Sequence, residues 1–169
     1  LFFTVYIFGI WIYSSSLKRL FWISNLFATL LAIIPFFAVT IYFKNFEAVV
    51  IYHASFLFLL ILIRDIVKDL QNYKGDWVRS YQTLPIVFGN LKTKIIVSAL
   101  IFLNSVPIFL LIQSHLGLMT YYFYFSIPYL LFVLVLLWIG STQKMYLWIH
   151  NLLKILILLG VIGIYFMYK

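Results

Sequence analysis

Long runs without a charged side chain leave few folds open to this sequence. No Asp, Glu, Lys or Arg occurs from Phe21 to Phe43, from Ile95 to Gln113, or from Leu118 to Gly140. Each run approaches or exceeds the roughly 20 residues a helix needs to cross the hydrocarbon core of a bilayer. That core holds no water to satisfy backbone N–H and C=O groups, so the runs are expected to be helical. Composition agrees. Hydrophobic residues make up 66% of the chain and charged residues 9%, against about 25% charged in soluble domains. The sequence therefore predicts an all-α, multi-spanning transmembrane bundle.

The 169 residues divide into six segments. Residues 1–13 form an apolar run too short to span, and they start without Met or a basic leader. We take them as the tail of a span and residues 1–169 as one transmembrane domain, N-terminally truncated. Five full spans are expected after it: Phe21 to Phe43, Phe46 to Ile63, Ile95 to Gln113, Leu118 to Gly140 and Met145 to Tyr168. Pro35, Pro107 and Pro128 fall inside spans and predict kinks, tolerable where a neighbouring helix satisfies the freed carbonyl. With no cysteine, disulfides and thiolate metal sites are excluded.

The charges orient this arrangement. With alternate breaks on the same side, one side collects Lys18, Arg19, Arg64, Lys68, Lys74, Arg79, Lys92, Lys94 and Lys144. The other keeps Lys44 and Lys169, and Lys154 lies inside a span. By the positive-inside rule the first side is cytoplasmic. The formal net charge of +8 thus follows from topology and contact with anionic lipid, and no nucleic-acid partner is expected.

The long polar passage, Arg64 to Pro85, falls on that cytoplasmic side. It holds three of the four acidic residues: Asp65, Asp69 and Asp76. On a continuous helix these acids and Asn72 share a stripe about 60° wide. Carboxylates and an amide carbonyl are hard oxygen donors suited to a divalent cation such as Mg²⁺. Arg64, Lys68, Lys74 and Arg79 are interleaved with them and are of the kind that clamps phosphate oxygens. Together, at the mouth of an apolar bundle, they fit an amphiphile with a diphosphate head and a hydrocarbon tail. Acidic and basic residues in such a passage are, however, usually a solvated polar surface, and spacing alone favours that reading.

The passage RDIVKDLQNYKGD, followed by TLPIVFG, resembles the second aspartate-rich motif of the UbiA superfamily of intramembrane prenyltransferases. Arg64, Lys68, Asp69, Gly75 and Asp76 match it, as do Thr83, Leu84, Pro85, Ile86 and Gly89. Its form is similar to that of archaeal-type geranylgeranylglyceryl phosphate transferases. Tyr13-Ser14-Ser15-Ser16-Leu17-Lys18-Arg19, with Asn25 after it, resembles the superfamily's turn between helices four and five. The six segments would then correspond to helices four to nine of a nine-helix fold, with the N-terminal half and its first acidic motif missing.

The resemblance implies an enzyme that transfers a prenyl group from a prenyl diphosphate to a lipophilic acceptor, a quinone precursor or an alkyl-glycerol phosphate. It implies Mg²⁺ on Asp69, Asn72 and Asp76 with Asp65 nearby, and Asp69 and Asp76 as the catalytic pair. Diphosphate contacts would fall to Lys18, Arg19, Arg64, Lys68 and Arg79. The sequence departs from the pattern at Asp65, Gln71, Asn72, Lys74, Trp77 and Gln82. With half of the metal site absent, the piece alone is expected to be inactive. The competing readings are a family member that binds lipid diphosphate without turnover, and a transporter or assembly subunit.

Four further positions have local readings. His53 is expected to be a hydrogen-bonded core histidine and Glu47 a charge at a helix N-terminus. Tyr121 to Tyr124 reads as an interfacial aromatic belt. Lys154 is expected to snorkel or to line a polar seam.

Overall fold

The computed structural model describes residues 2–15 and 23–167, and every element among them is helical. In chain order these are α1 (Phe2–Ser15), α2 (Ile23–Tyr42), α3 (Ala48–Val78), α4 (Leu84–Gln113), α5 (Met119–Ile139) and α6 (Gln143–Met167). The helices α2 to α6 are each long and apolar enough to cross a membrane. Lys18 and Arg19 lie outside the described residues.

Four helices close into a ring: α3 packs on α4, α4 on α5, α5 on α6, and α6 back on α3. The centre is filled by Leu60, Ile63 and Val67 of α3, Val97 and Leu111 of α4, Phe123, Val133 and Leu137 of α5, and Ile149, Leu153 and Leu156 of α6. Outside the ring, α2 lies against α3 and α1 against α2. Among the described residues α2 does not touch α6. The outward side of α3 is therefore left open between them.

Lipid tails are as apolar as leucine, so ring packing rests on close van der Waals contact and hydrogen bonds between helices. Phe123 is fully buried, with its ring 5.5 Å from Phe56 and 5.4 Å from His53, edge to face in both cases. Tyr122 Oη donates to the Leu156 carbonyl at 2.9 Å, and Tyr129 Oη to the Leu152 carbonyl at 2.9 Å. These bonds pin α5 to α6. Phe123→Ala should lower stability by about 3 kcal/mol, through lost ring contacts and the cavity left behind. Unfolding by denaturing detergent would measure the difference.

The three prolines sit inside α2, α4 and α5. Pro35 cannot donate to the carbonyl four residues back, that of Leu31. Tyr6 Oη of α1 donates to that carbonyl at 3.2 Å. The neighbouring helix thus supplies the bond that proline removes.

Two boundaries differ from the sequence expectation. The third span and the polar passage are one continuous helix, and α3 runs 31 residues from Ala48 to Val78. At 1.5 Å per residue it is about 46 Å long, well beyond a ~30 Å hydrocarbon core. It ends in a Schellman motif: Tyr81 N–H bonds to the Asp76 carbonyl at 3.0 Å and Ser80 N–H to the Trp77 carbonyl at 3.1 Å. Ser80 takes the left-handed position at φ 54° that glycine usually fills, so no glycine marked the stop. The fourth span starts at Leu84 rather than Ile95, after a Thr83 N-cap and with Pro85 in the first turn. Gly89, at φ 80° and ψ 165°, interrupts the helix. That backbone conformation is one only glycine adopts readily.

Glu47 is the N-cap of α3, as its charge at a helix start suggested, though its side chain makes no capping bond. His53 is half-buried rather than deep in the core, with Nδ1 2.8 Å from the Val49 carbonyl. Within the tyrosine cluster, Tyr121 and Tyr124 are exposed. Tyr122 and Phe123 turn inward and belong to the ring core.

Candidate functional site at the α3 polar face

The outward face of α3 follows from its sequence. Leu60, Ile63, Val67 and Leu70 recur at three- and four-residue steps and are buried against the ring. The same 3.6-residue period turns Asp65, Asp69, Asn72 and Asp76 to the other side. All four are half-buried. Lys68 and Arg79 are exposed beside them.

Asp69 is the best-anchored of these acids. Asn25, buried in the first turn of α2, donates through Nδ2 to Asp69 Oδ2 at 2.6 Å. The Asn25 side-chain oxygen in turn accepts from Ser24 Oγ at 3.3 Å. A chain of two hydrogen bonds therefore sets the orientation of the amide, and the amide sets the carboxylate. One Asp69 oxygen is engaged by Asn25, and the other is left to accept from elsewhere. Tyr13, near the end of α1, stands within reach of the charges of both Asp65 and Asp69. Tyr13 and Asn25, from one of the two stretches singled out in the sequence, thus both stand near acids of the other, Arg64 to Pro85.

Asp65 is placed differently. Arg64 Nε and Nη2 both donate to Asp65 Oδ1, at 3.1 and 2.8 Å. The pair is partly buried, with side-chain exposures of 28% and 17%. Arg64 is thus paired with its sequence neighbour.

Among the described residues no three of His, Cys, Asp or Glu converge on a point that could hold a metal ion. Helix geometry gives the reason. Asp65 and Asp76 are separated by a rise of about 16 Å along α3, so one ion cannot touch both. Residues three or four apart do come together, which groups Asp69 with Asn72 and Asn72 with Asp76. Two carboxylates and an amide carbonyl remain a hard oxygen donor set. Mg²⁺ takes few protein ligands and keeps waters or phosphate oxygens for the rest. The residues fit such an ion in chemistry, as part of a coordination shell.

Beside Asn25 an apolar cavity of about 430 Å³ runs between α2, α3 and α4. Leu26, Leu62, Ile66, Leu84, Phe88 and Leu100 line it. A polar face and an apolar cavity therefore share Asn25 as their common edge. Asn25 counted in the sequence only as part of a motif. An amide at the start of an otherwise apolar helix was the available signal, but nothing in the chain order pairs it with Asp69.

An all-helical ring of membrane-spanning helices, with an acidic and amide-lined face at one end, defines a multi-pass membrane protein with a polar site beside an apolar cavity. The profile of the UbiA prenyltransferase family matches residues 1–152, and the chain belongs to that family. It is similar to the digeranylgeranylglyceryl phosphate synthase of Methanosphaera stadtmanae, with 32% identity over 124 residues covering 73% of this chain and 42% of that protein. It is also similar to the digeranylgeranylglyceryl phosphate synthase of Pyrococcus horikoshii, with 37% identity over 67 residues covering 40% of this chain and 24% of that protein. The matched region thus spans less than half the length of either relative. No solved structure matches the chain significantly.

Proposed function

We propose that the protein carrying this chain is a prenyltransferase. It moves a prenyl group from a prenyl diphosphate to a lipophilic acceptor, either a quinone precursor or an alkyl-glycerol phosphate. Family membership supports the reaction class. The observation that carries the site assignment is the 2.6 Å bond between Asn25 and Asp69, because it joins two separate sequence motifs at the mouth of an apolar cavity.

In this reading Asp69, Asn72 and Asp76 hold Mg²⁺, with Asp65 as an outer carboxylate. The bound ion would neutralise charge on the departing diphosphate. Lys68 on α3 and Arg79 at its C-cap, both exposed, bind diphosphate oxygens, and Lys18 and Arg19, which precede α2 in the sequence, are assigned the same task. Arg64 serves through its pairing with Asp65. The prenyl chain lies in the cavity lined by Leu62, Ile66 and Leu100. Transfer breaks the bond between the prenyl C1 and its diphosphate oxygen, and the diphosphate leaves with the electron pair. The acceptor nucleophile forms the new bond to C1 and gives up its proton.

The site faces the cytoplasm in this proposal, because nine cations gather on its side of the membrane against two on the other. Asn72 and Lys74, where the family's motif is usually acidic, favour a second reading, a protein that binds lipid diphosphate without turnover. Chelation separates the outcomes. With the full-length protein in lipid vesicles, EDTA should abolish transfer from geranylgeranyl diphosphate, and added Mg²⁺ should restore it. Transfer that persists in EDTA would overturn the metal assignment. Mg²⁺-dependent binding of the diphosphate without transfer would establish the second reading.

A further inference from the structure

The apolar cavity beside Asn25 has a continuation. A second cavity, of about 500 Å³, lies between the same three helices, further from the polar face. On each helix its lining begins three or four residues beyond that of the first: Leu30 after Leu26 on α2, Leu59 after Leu62 on α3, and Leu103 after Leu100 on α4. Steps of three and four stay on one helix face, so the two cavities are successive parts of one groove. Among the described residues α2 and α4 do not touch, while α3 packs on both and forms the floor between them.

The outer cavity has a reason in the sequence. Ala54 and Ser55 carry the smallest side chains of its lining, and they stand on α3 between the bulk of Ile51 and that of Phe58 and Leu59. Ala54 is buried, and Ser55 is exposed in the groove. Ser55 Oγ donates to the Ile51 carbonyl at 2.9 Å. Its hydroxyl is thus satisfied within the helix and needs no polar partner in the groove. The lining ends at Phe37 on α2, Ile51 on α3 and Pro107 on α4. From Ile66, beside the polar face, to Ala54 the rise along α3 is about 18 Å.

With C–C bonds near 1.5 Å, an extended carbon chain advances about 1.25 Å per bond. A tail of three isoprene units, with eleven main-chain bonds, therefore reaches about 14 Å and stops near Phe58. A tail of four units, with fifteen bonds, reaches about 19 Å and ends over Ala54 and Ser55. We propose that Ala54 and Ser55 are the residues that set the length of the donor's prenyl tail at four isoprene units, with Ile51 barring a fifth. This rests on the prenyl-transfer reading, which lays the first part of the tail in the cavity beside Asn25. Bilayer lipid is as apolar as the groove, so a longer tail gains little from burial alone. Length is read by whether the last unit fits above two small side chains.

The test uses the full-length protein in phosphatidylcholine nanodiscs with Mg²⁺, supplied with farnesyl, geranylgeranyl or geranylfarnesyl diphosphate. The parent should favour the geranylgeranyl donor. Ser55→Phe fills the outer cavity from an exposed position. It should lower kcat/KM for geranylgeranyl relative to farnesyl diphosphate by about tenfold or more, through overpacking against the last unit. Ile51→Ala, also at an exposed position, opens the outer end and should raise geranylfarnesyl relative to geranylgeranyl diphosphate. A general loss of folding or chemistry cannot move donor preference in opposite directions in the two variants. Donor ratios unchanged by Ser55→Phe would overturn the proposal and leave the outer cavity to bilayer acyl chains. Equal loss with all three donors would overturn it too, as would a parent that uses the longest donor as well as geranylgeranyl diphosphate.

If the parent transfers from none of the three donors, the prenyl-transfer reading fails, and equilibrium binding of the same diphosphates then decides the groove. A binding preference for geranylgeranyl over farnesyl diphosphate that Ser55→Phe removes would sustain the length assignment. The same preference in parent and variant, or none in the parent, would overturn it.

Discussion

Asp69→Asn should lower prenyl transfer by about 10³-fold in the full-length protein, since one charged metal ligand is replaced by a neutral one of the same shape. The substitution is chosen to spare the fold. An asparagine oxygen still accepts from Asn25 Nδ2, so the bond between α2 and α3, 2.6 Å in the parent, has a counterpart. Thermal unfolding should therefore change little while turnover collapses. The Mg²⁺ dependence of the residual activity is the second readout, and half-saturation should move to higher concentration. Asp69→Ala should be as inactive but less stable, because it leaves the buried Asn25 amide without an acceptor. Transfer at the parent's rate by Asp69→Asn would remove Asp69 from the role assigned to it.

Asn25→Ala should act through Asp69 without touching a substrate. Loss of the amide frees the carboxylate to turn and leaves one oxygen without its donor. Groups that orient a metal ligand are typically worth about 10–100-fold in metal affinity or activity. A hydrogen bond to a charged acceptor contributes about 2 kcal/mol to stability. Both losses are expected here, read as a higher Mg²⁺ requirement and as earlier unfolding. The combined Asn25→Ala, Asp69→Asn variant should be little worse in transfer than Asp69→Asn alone, because residues acting through one group are not additive. Additive losses would mean that Asn25 acts independently of Asp69. An Asn25→Ala protein with unchanged Mg²⁺ dependence would reduce Asn25 to a packing residue.

Much of the fold was legible beforehand for a simple reason. A bilayer requires every backbone polar group inside it to be satisfied by its own segment, so uncharged length translates directly into helices. The limits of α2, α5 and α6 fell within about two residues of the expected spans, which is within the scatter of helix-end assignment. The start of α4 did not. Polarity from Thr83 to Lys94 argued for a break, yet Thr83 and Pro85 are start signals for a helix, and Gly89 supplies the only discontinuity there. Polarity alone also hid the continuity of α3 past Ile63. Leaving the bilayer ends the need for apolar side chains, not the helix.

The candidate site divides along similar lines. Because Asp65, Asp69, Asn72 and Asp76 lie on one helix, their common face follows from a 3.6-residue period. The same geometry limits them, because a rise of 1.5 Å per residue keeps the ends of the stripe apart. The resemblance to a prenyltransferase motif was likewise readable, being carried by order and spacing along the chain. What distinguishes the acids from one another was not readable. Arg64 binds Asp65, and Asn25 binds Asp69 from 44 positions away.

The sequence alone thus determined that the chain is a helical membrane bundle with a polar face at one end of its third span. Periodicity and hydrophobic length are local properties and need no partner to be expressed. Only the tertiary structure decided that α3 to α6 close into a ring, that α2 brings Asn25 to Asp69, and that His150 of α6 is buried beside the backbone of Arg64. Those pairings depend on how separate helices pack. In a membrane, that packing is set by side-chain fit and a few hydrogen bonds rather than by hydrophobic pattern.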